Sequence, residues 1–453
     1  MPTINLSRNN QGHRLGSEQG YCLLNSTPVD IWEDIFFQCL PLPDDWNAST
    51  DRPHCSTQTA PLLLRQICRK WRKVAIAQPN LWCYLKVVIS QGKTYPPAPL
   101  VSQWLEMSGC LPLTLLLYQE TGSAANQRAV RDVLELYRRY IPRWKNIRLE
   151  LAGLDFGETL AFQQCRAPLL EHLYLKSWPI TKNPENAPLQ VMPRLRTLSL
   201  SCMLVMDSLQ EPCLPRTFGM LRSISIDTVM SVGAALQILG YCQNITQCFL
   251  GIERISDDLP DTRIVQTTLQ LLELRIDLED LPCFLDYATL PALTDLVIHG
   301  QPERESWPQT KFNDFLARSG VHLLSLTLHN TSILGSQLIA LLLQPALYTL
   351  VELVIDDDTD WISDACVTSH TLELLSLDMS THDDHLPDLK RLKIRLYSFE
   401  NKKLVDMVES RWRCNQERRL RNLEVHLYPA CSGKDLKRLS EFQKEGLELI
   451  LLD

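Results

Sequence analysis

The chain has 453 residues, 45% of them hydrophobic and 22% charged, with a formal net charge of −8. That length suits two or three domains, or one extended repeat array beside a small module, and the composition is that of a folded protein. The acidic balance speaks against a protein that coats phosphate backbones, and no apolar run is long enough to span a bilayer. The 15 cysteines are odd in number and contain no C-x-x-C pair, so they are expected to be reduced, mostly buried small hydrophobes. Residues 1–20 are polar and carry no signal-peptide core, which predicts a cytoplasmic and/or nuclear protein. On that expectation the sequons at Asn25, Asn47, Asn244 and Asn330 carry no sugar.

Residues 1–24 read as a disordered tail, and a helical module is expected over 25–92. In "TPVDIWEDIFFQCLP" Thr27 is placed to cap a helix, with Pro28 at its first position and Asp30 three residues after the cap. Val29, Trp32, Ile35, Phe36 and Cys39 give that helix an apolar face, and Pro41 stops it. The stretch 42–60 is rich in Pro, Asp, Ser and Thr and reads as an exposed loop. A second helix is expected from Pro61 to the stop at Pro79. Its residues Arg69, Lys70, Arg72 and Lys73 look like a nucleic-acid patch when read for charge alone. Read for apolar spacing, Cys68, Trp71, Val74 and Ala75 form a packing stripe and the four basic residues its solvated side. The net charge favours the second reading, and no nucleic-acid partner is expected.

Connecting helices and a strand are expected over 93–140, and from 141 to 453 the chain is repetitive. The pattern apolar-x-x-apolar-x-apolar starts at Trp144/Ile147/Leu149 and returns as Leu170/Leu173/Leu175 and Leu195/Leu198/Leu200. Later members include Ile245/Cys248/Leu250, Leu271/Leu274/Ile276, Leu372/Leu375/Leu377 and finally Leu447/Ile450/Leu452. The matches recur about every 25 residues, a leucine-rich-repeat spacing. Each unit places alternate apolar side chains of a short strand inward; stacked units share one core. The expected fold is therefore α/β: a small helical module, then an irregular solenoid with parallel strands on a concave face and helices or loops on the convex one. The outward strand positions include Tyr174, Phe249 and Arg275, large aromatic and Arg groups that are frequent hot spots at protein interfaces. Glu352, Asp356, Asp357, Asp358 and Asp378 precede Arg391, Lys393 and Arg395, which fits either a charge-patterned partner surface or ordinary solvated strand edges.

No catalytic motif occurs, so no enzyme activity, metal or cofactor is expected. "HDDH" at 382–385 is too short to converge on an ion, and "DDDTD" at 356–360 lacks the Gly and distal Glu of an EF-hand loop.

In sequence order Pro28, Ile31, Ile35, Phe36, Leu40 and Pro41, then Ile67, Cys68 and Trp71, then Leu81 and Trp82, resemble an F-box. The resemblance covers about 55 of the 453 residues. Leucine-rich repeats follow it, and residues 98–120 and 133–151 resemble the connecting segments of fungal F-box proteins, so the chain is similar to the fungal-type F-box/leucine-rich-repeat family. The sequence departs from the pattern at Thr27, where the family has a Leu, and in the long loop 42–60. The resemblance implies a substrate receptor that docks a Skp-type adaptor, and through it a cullin, while the repeats hold a protein substrate. Pro28, Ile31, Ile35, Leu40, Pro41, Ile67 and Trp71 are its candidate adaptor contacts, with packing inside the module as the other reading of each. A recognition scaffold without ubiquitin chemistry is the alternative function.

Overall fold

The structure, a computed structural model, describes residues 27–40, 56–152, 166–178, 192–202, 218–227, 230–253, 259–301, 307–356, 366–377, 385–396, 401–414, 418–427 and 433–452. The tail 1–24, Pro41, most of the loop 42–60 and most of the 356–360 and 382–385 stretches lie outside these residues.

The first helix, Val29–Gln38, begins one residue later than expected, with Pro28 in the capping position at φ −54°, ψ 151°. The second expected helix is two. Leu64–Ile67 and Arg69–Ala77 are broken by Cys68, which is extended (φ −155°, ψ 170°) and accepts the Trp71 amide hydrogen on its Sγ. The break lets the longer piece present Val74 and Ala75 inward while Arg69, Arg72 and Lys73 stay in water. Pro79–Trp82 then forms a 3-10 turn leading into the first strand.

The strands, in chain order, are β1 (Tyr84–Ser90), β2 (Lys93–Tyr95), β3 (Leu113–Gln119), β4 (Trp144–Ala152), β5 (His172–Trp178), β6 (Thr197–Cys202) and β7 (Ser223–Asp227). They continue as β8 (Gln247–Ile252), β9 (Ile264–Val265), β10 (Leu271–Asp277), β11 (Ala288–Thr289), β12 (Asp295–Gln301) and β13 (Ser325–His329). The last are β14 (Glu352–Asp356), β15 (Arg391–Leu396), β16 (Asn422–Leu427) and β17 (Glu448–Leu452). Fifteen of them form one sheet, ordered β17-β16-β15-β14-β13-β12-β10-β8-β7-β6-β5-β4-β3-β1-β2, and β9 and β11 pair separately. Every pairing in the large sheet is parallel except β1 with β2. The protein is thus mixed α/β, built on a long parallel sheet with a solenoid-like strand order.

Register explains the core. One row of apolar residues runs strand to strand from Leu85 through Leu115, Leu198, Cys248, Leu272 and Leu353 to Leu423 and Leu449. Helices such as Val232–Tyr241 and Gln309–Ser319 bury Leu236, Phe312 and Phe315 into the same continuous cluster. Strands β1 and β3, upstream of the first repeat read in the sequence, extend the same sheet.

Several sequence expectations are corrected here. The Leu447/Ile450/Leu452 unit is misaligned by one, because Leu449 and Leu451 are the residues level with Leu423 and Val425, while Ile450 and Leu452 are exposed. The Leu372/Leu375/Leu377 unit is no strand: Ser369–Leu375 is a helix capped by Thr368, and β14 pairs directly with β15. Leucines three apart fit one face of a helix as well as the start of a strand unit, and the capping hydroxyl decides for the helix. The Leu271/Leu274/Ile276 unit is misaligned by two, because Leu272 and Leu274 are the residues level with Cys248 and Leu250. Among the nine cysteines whose burial is described the division is more even than expected: Cys242, Cys248, Cys366 and Cys414 are buried, Cys68, Cys83 and Cys283 half-buried, and Cys39 and Cys110 exposed.

Candidate functional surfaces

The helical module is assembled around aromatic rings. Trp71 lies with its ring centroid 4.9 Å from Phe36 and 5.1 Å from Trp32. Phe36 is fully buried, while Trp71, Trp32 and Leu40 are half-buried against the core. Trp71 and Leu40 thus make packing contacts inside the module while staying partly open to solvent. Ile31, Ile35 and Ile67 instead face solvent, at 49%, 41% and 52% exposure, and Pro28 is exposed as well. On the helix Val29–Gln38, residues 28, 31 and 35 share a face and Phe36 lies about 100° away, which separates the wet stripe from the packed one. Phe37, Leu63 and Ile76 are further exposed apolar side chains that the sequence reading passed over. A helix-spacing argument assigns one buried stripe and has no signal for a second, solvent-facing one.

Trp82 joins the module to the sheet. It is fully buried, its ring meets Trp104 edge-on at 4.8 Å, and its indole N–H donates to the Ala75 carbonyl at 2.7 Å. Gln78 adds a bond from its side-chain amide to the Glu33 carbonyl at 2.8 Å, tying the first helix to the same corner.

The second surface is the sheet face opposite the core row. Its central row reads Arg148, Tyr174, Ser199, Ser225, Phe249, Glu273, Val297, Thr327, Val354, Lys393 and Glu424 across neighbouring strands. Arg275 does not belong to it. The two-residue misalignment puts Arg275 one row further along, level with Gly251 and His299. Tyr174 is half-buried under Arg148, whose guanidinium lies 4.2 Å from the ring centroid and 2.6 Å from Glu150. Burial pushes the Tyr174 hydroxyl above its ordinary value, with Glu150 acting in the same direction. Phe249 and Arg275 sit on adjacent strands, and Tyr174 stands three strands from Phe249, about 14 Å at the usual strand spacing.

Further along the sheet the charged residues pair with one another. Glu352 and Arg391 are register partners and meet at 2.7 Å; Asp356 takes Arg395 at 2.8 Å and Lys393 at 3.6 Å; Lys393 also reaches Glu424 at 2.8 Å. The acidic-then-basic shift in the sequence is in these pairs an internal ladder of ion pairs rather than two opposed patches. Burial alone would raise the Asp356 carboxyl, but the Arg395 hydrogen bond and charge, with Lys393 and His329, hold it below the usual value. The hydrogen bond to Glu424 raises the Lys393 ammonium in turn. Next to the ladder the rings of His299 and His329 stack at 4.8 Å and 6°. Burial and then the neighbouring His299 lower His329. Among the described residues no group of three or more His, Cys, Asp or Glu side chains is arranged to hold a metal ion, and no helix is long and apolar enough to cross a membrane.

Compared with known proteins, the chain matches no family model and no curated sequence.

Proposed function

We propose that this chain is the substrate-receptor subunit of a Skp–cullin–F-box type ubiquitin ligase. The helical module docks the Skp-type adaptor, and the polar sheet face binds the protein to be modified. The observation that carries this reading is the split within the module: Phe36 and Trp71 pack inward, whereas Ile31, Ile35 and Ile67 stand in water. Exposed isoleucines on so small a module favour a partner that covers them, since clustered apolar surface marks interaction sites. Together with the order of F-box-like residues and the repeats behind them, this favours docking over a cap that merely closes the solenoid. Because Trp82 anchors the module to β1, the adaptor and the substrate would be held in a fixed relation, as presenting a lysine to the ligase requires. The chain acts by positioning and has no chemistry of its own on this reading.

The test is capture of the purified Skp-type adaptor by the full-length chain and by an Ile35→Ser/Ile67→Ser variant. Both positions are exposed, so the variant keeps its helicity and melting temperature. Its affinity for the adaptor falls roughly tenfold or more, as for the loss of two hot-spot side chains. Failure of the unaltered chain to bind the adaptor, or equal binding by the folded variant, refutes the reading.

A further inference from the structure

The polar face of the sheet is uneven in charge, and the unevenness points to a class of substrate. From β7 to β12 its described strand positions and strand ends carry five carboxylates, Asp227, Glu253, Glu273, Asp277 and Asp295, against one permanent cation, Arg275. Phe249 lies half-buried among them, level with Glu273. The basic residues further on offer nothing to an anion: Arg391, Lys393 and Arg395 each already rest on a carboxylate of this chain. Neither Glu273 nor Asp295 has a lysine or arginine within ion-pair distance among the described residues. Glu273 meets His299 at 3.1 Å, and Asp295 accepts from the Thr294 hydroxyl at 2.6 Å and interacts with the charge of Arg391 beyond ion-pair distance.

Arg275 demonstrates what the face holds. Its guanidinium reaches past Gly251, which has no side chain to block it, and lies 2.6 Å from Asp227 and 3.2 Å from Glu253. Just beyond β10, Asp280 is buried and one of its carboxylate oxygens has no hydrogen-bond partner among the described residues; burial first, then the charges of Asp277 and Glu279, raise its carboxyl to about 6.

We infer that the β7–β12 part of this face binds a lysine- and arginine-rich segment of the protein substrate, its cations seated on Glu273 and Asp295 with an aliphatic stem or guanidinium against Phe249. Calling the occupant a substrate rests on the receptor reading above; the affinity for a basic segment does not. Carboxylates beside an aromatic ring suit such side chains, because the ring face attracts the cation while the stem covers apolar surface. Charge complementarity of this kind also sets register and rejects acidic competitors.

The experiment uses the full-length chain and two fluorescein-labelled peptides, one alternating lysine with serine and one alternating glutamate with serine, read by fluorescence anisotropy. The lysine peptide binds, the glutamate peptide does not, and affinity drops steeply with added salt. A Glu273→Gln/Asp295→Asn variant binds the lysine peptide roughly three- to tenfold more weakly, as for two exposed ion pairs. An Asp132→Asn/Glu135→Gln variant, which removes two exposed carboxylates from the helix Ala124–Arg138, binds like the unaltered chain. Equal weakening by both variants would mean attraction to the net charge alone and overturns the proposal, as does tighter binding of the glutamate peptide or no binding of the lysine peptide. Adaptor capture is measured on the same preparations. Lost adaptor binding with retained peptide binding sinks the receptor reading and leaves this site standing.

Discussion

Replacing Trp82 by Ala tests how the module is fastened to the sheet. The side chain is fully buried, so truncation costs about 3–5 kcal/mol. Within that figure the edge-on contact with Trp104 contributes about 0.5–1.5 kcal/mol and the indole bond to the Ala75 carbonyl about 1 kcal/mol. Trp82→Phe keeps most of the ring and loses the N–H donor, so it costs a smaller part, roughly 1–2 kcal/mol. A repeat array need not unfold in one step, so a single melting curve blurs a local change. Amide hydrogen exchange read helix by helix avoids this. In Trp82→Ala the amides of Arg69–Ala77 exchange about a hundredfold faster or more, while those of β12–β16 keep their rates. Unchanged protection across Arg69–Ala77 would refute the claim that Trp82 holds the module in place. So would an equal loss along the whole sheet, because the effect would then be global.

Asp280 and Asp356 respond to pH with opposite signs. Burial, with the charges of Asp277 and Glu279, raises the Asp280 carboxyl to about 6. Its folded state therefore holds the proton more tightly than the unfolded chain, and stability falls as pH rises from about 4 through 6. Asp280→Asn should stabilise the protein by roughly 1–3 kcal/mol at pH 7 and by little at pH 4, measured by urea denaturation. Asp356 is held low, so its contribution is present above the unfolded value of about 3.9 and is lost as pH falls through the folded value. Asp356→Asn should therefore be less stable than the parent at pH 7, and the two should converge in strong acid. Gly300→Ala tests a close approach: a Cβ there would press into the Asn330 carbonyl, where Asn330 already has φ +52°. Overpacking of this kind costs about 1–3 kcal/mol and should appear as faster exchange around β12 and β13.

Much of the architecture was legible because apolar periodicity is a property of the chain itself. Thirteen apolar-x-x-apolar-x-apolar matches run from Trp144 to Leu452, and twelve of them carry a strand, although in β10 and β17 the inward residues are not those the pattern picked. The thirteenth, at Leu372, is a helix, and its pattern was ambiguous because leucines three apart suit either structure. Thr368, at the capping position, was the available signal. In β10 the run "LLELRID" has leucine at 271, 272 and 274 and isoleucine at 276, so two alignments fit equally well. Only pairing with Cys248 on one side and Leu296 on the other selects Leu272, and that choice moved Arg275 out of the row assigned to it.

The amino-acid sequence by itself determined that the chain would stack apolar strand units behind a helical module, because burial of alternate leucines follows from local spacing. It also determined that the basic residues from Arg69 to Lys73 flank a packing helix. Tertiary structure alone decided which module residues face water. Ile35 and Phe36 are adjacent and both apolar, and only the position of Trp71 makes one an anchor of the core and leaves the other exposed. The charged ladder was decided in the same way: Glu352 and Arg391 lie 39 residues apart and become neighbours because β14 pairs with β15. Periodicity acts between residues close in the chain, whereas contact across strands depends on a register that no single segment contains.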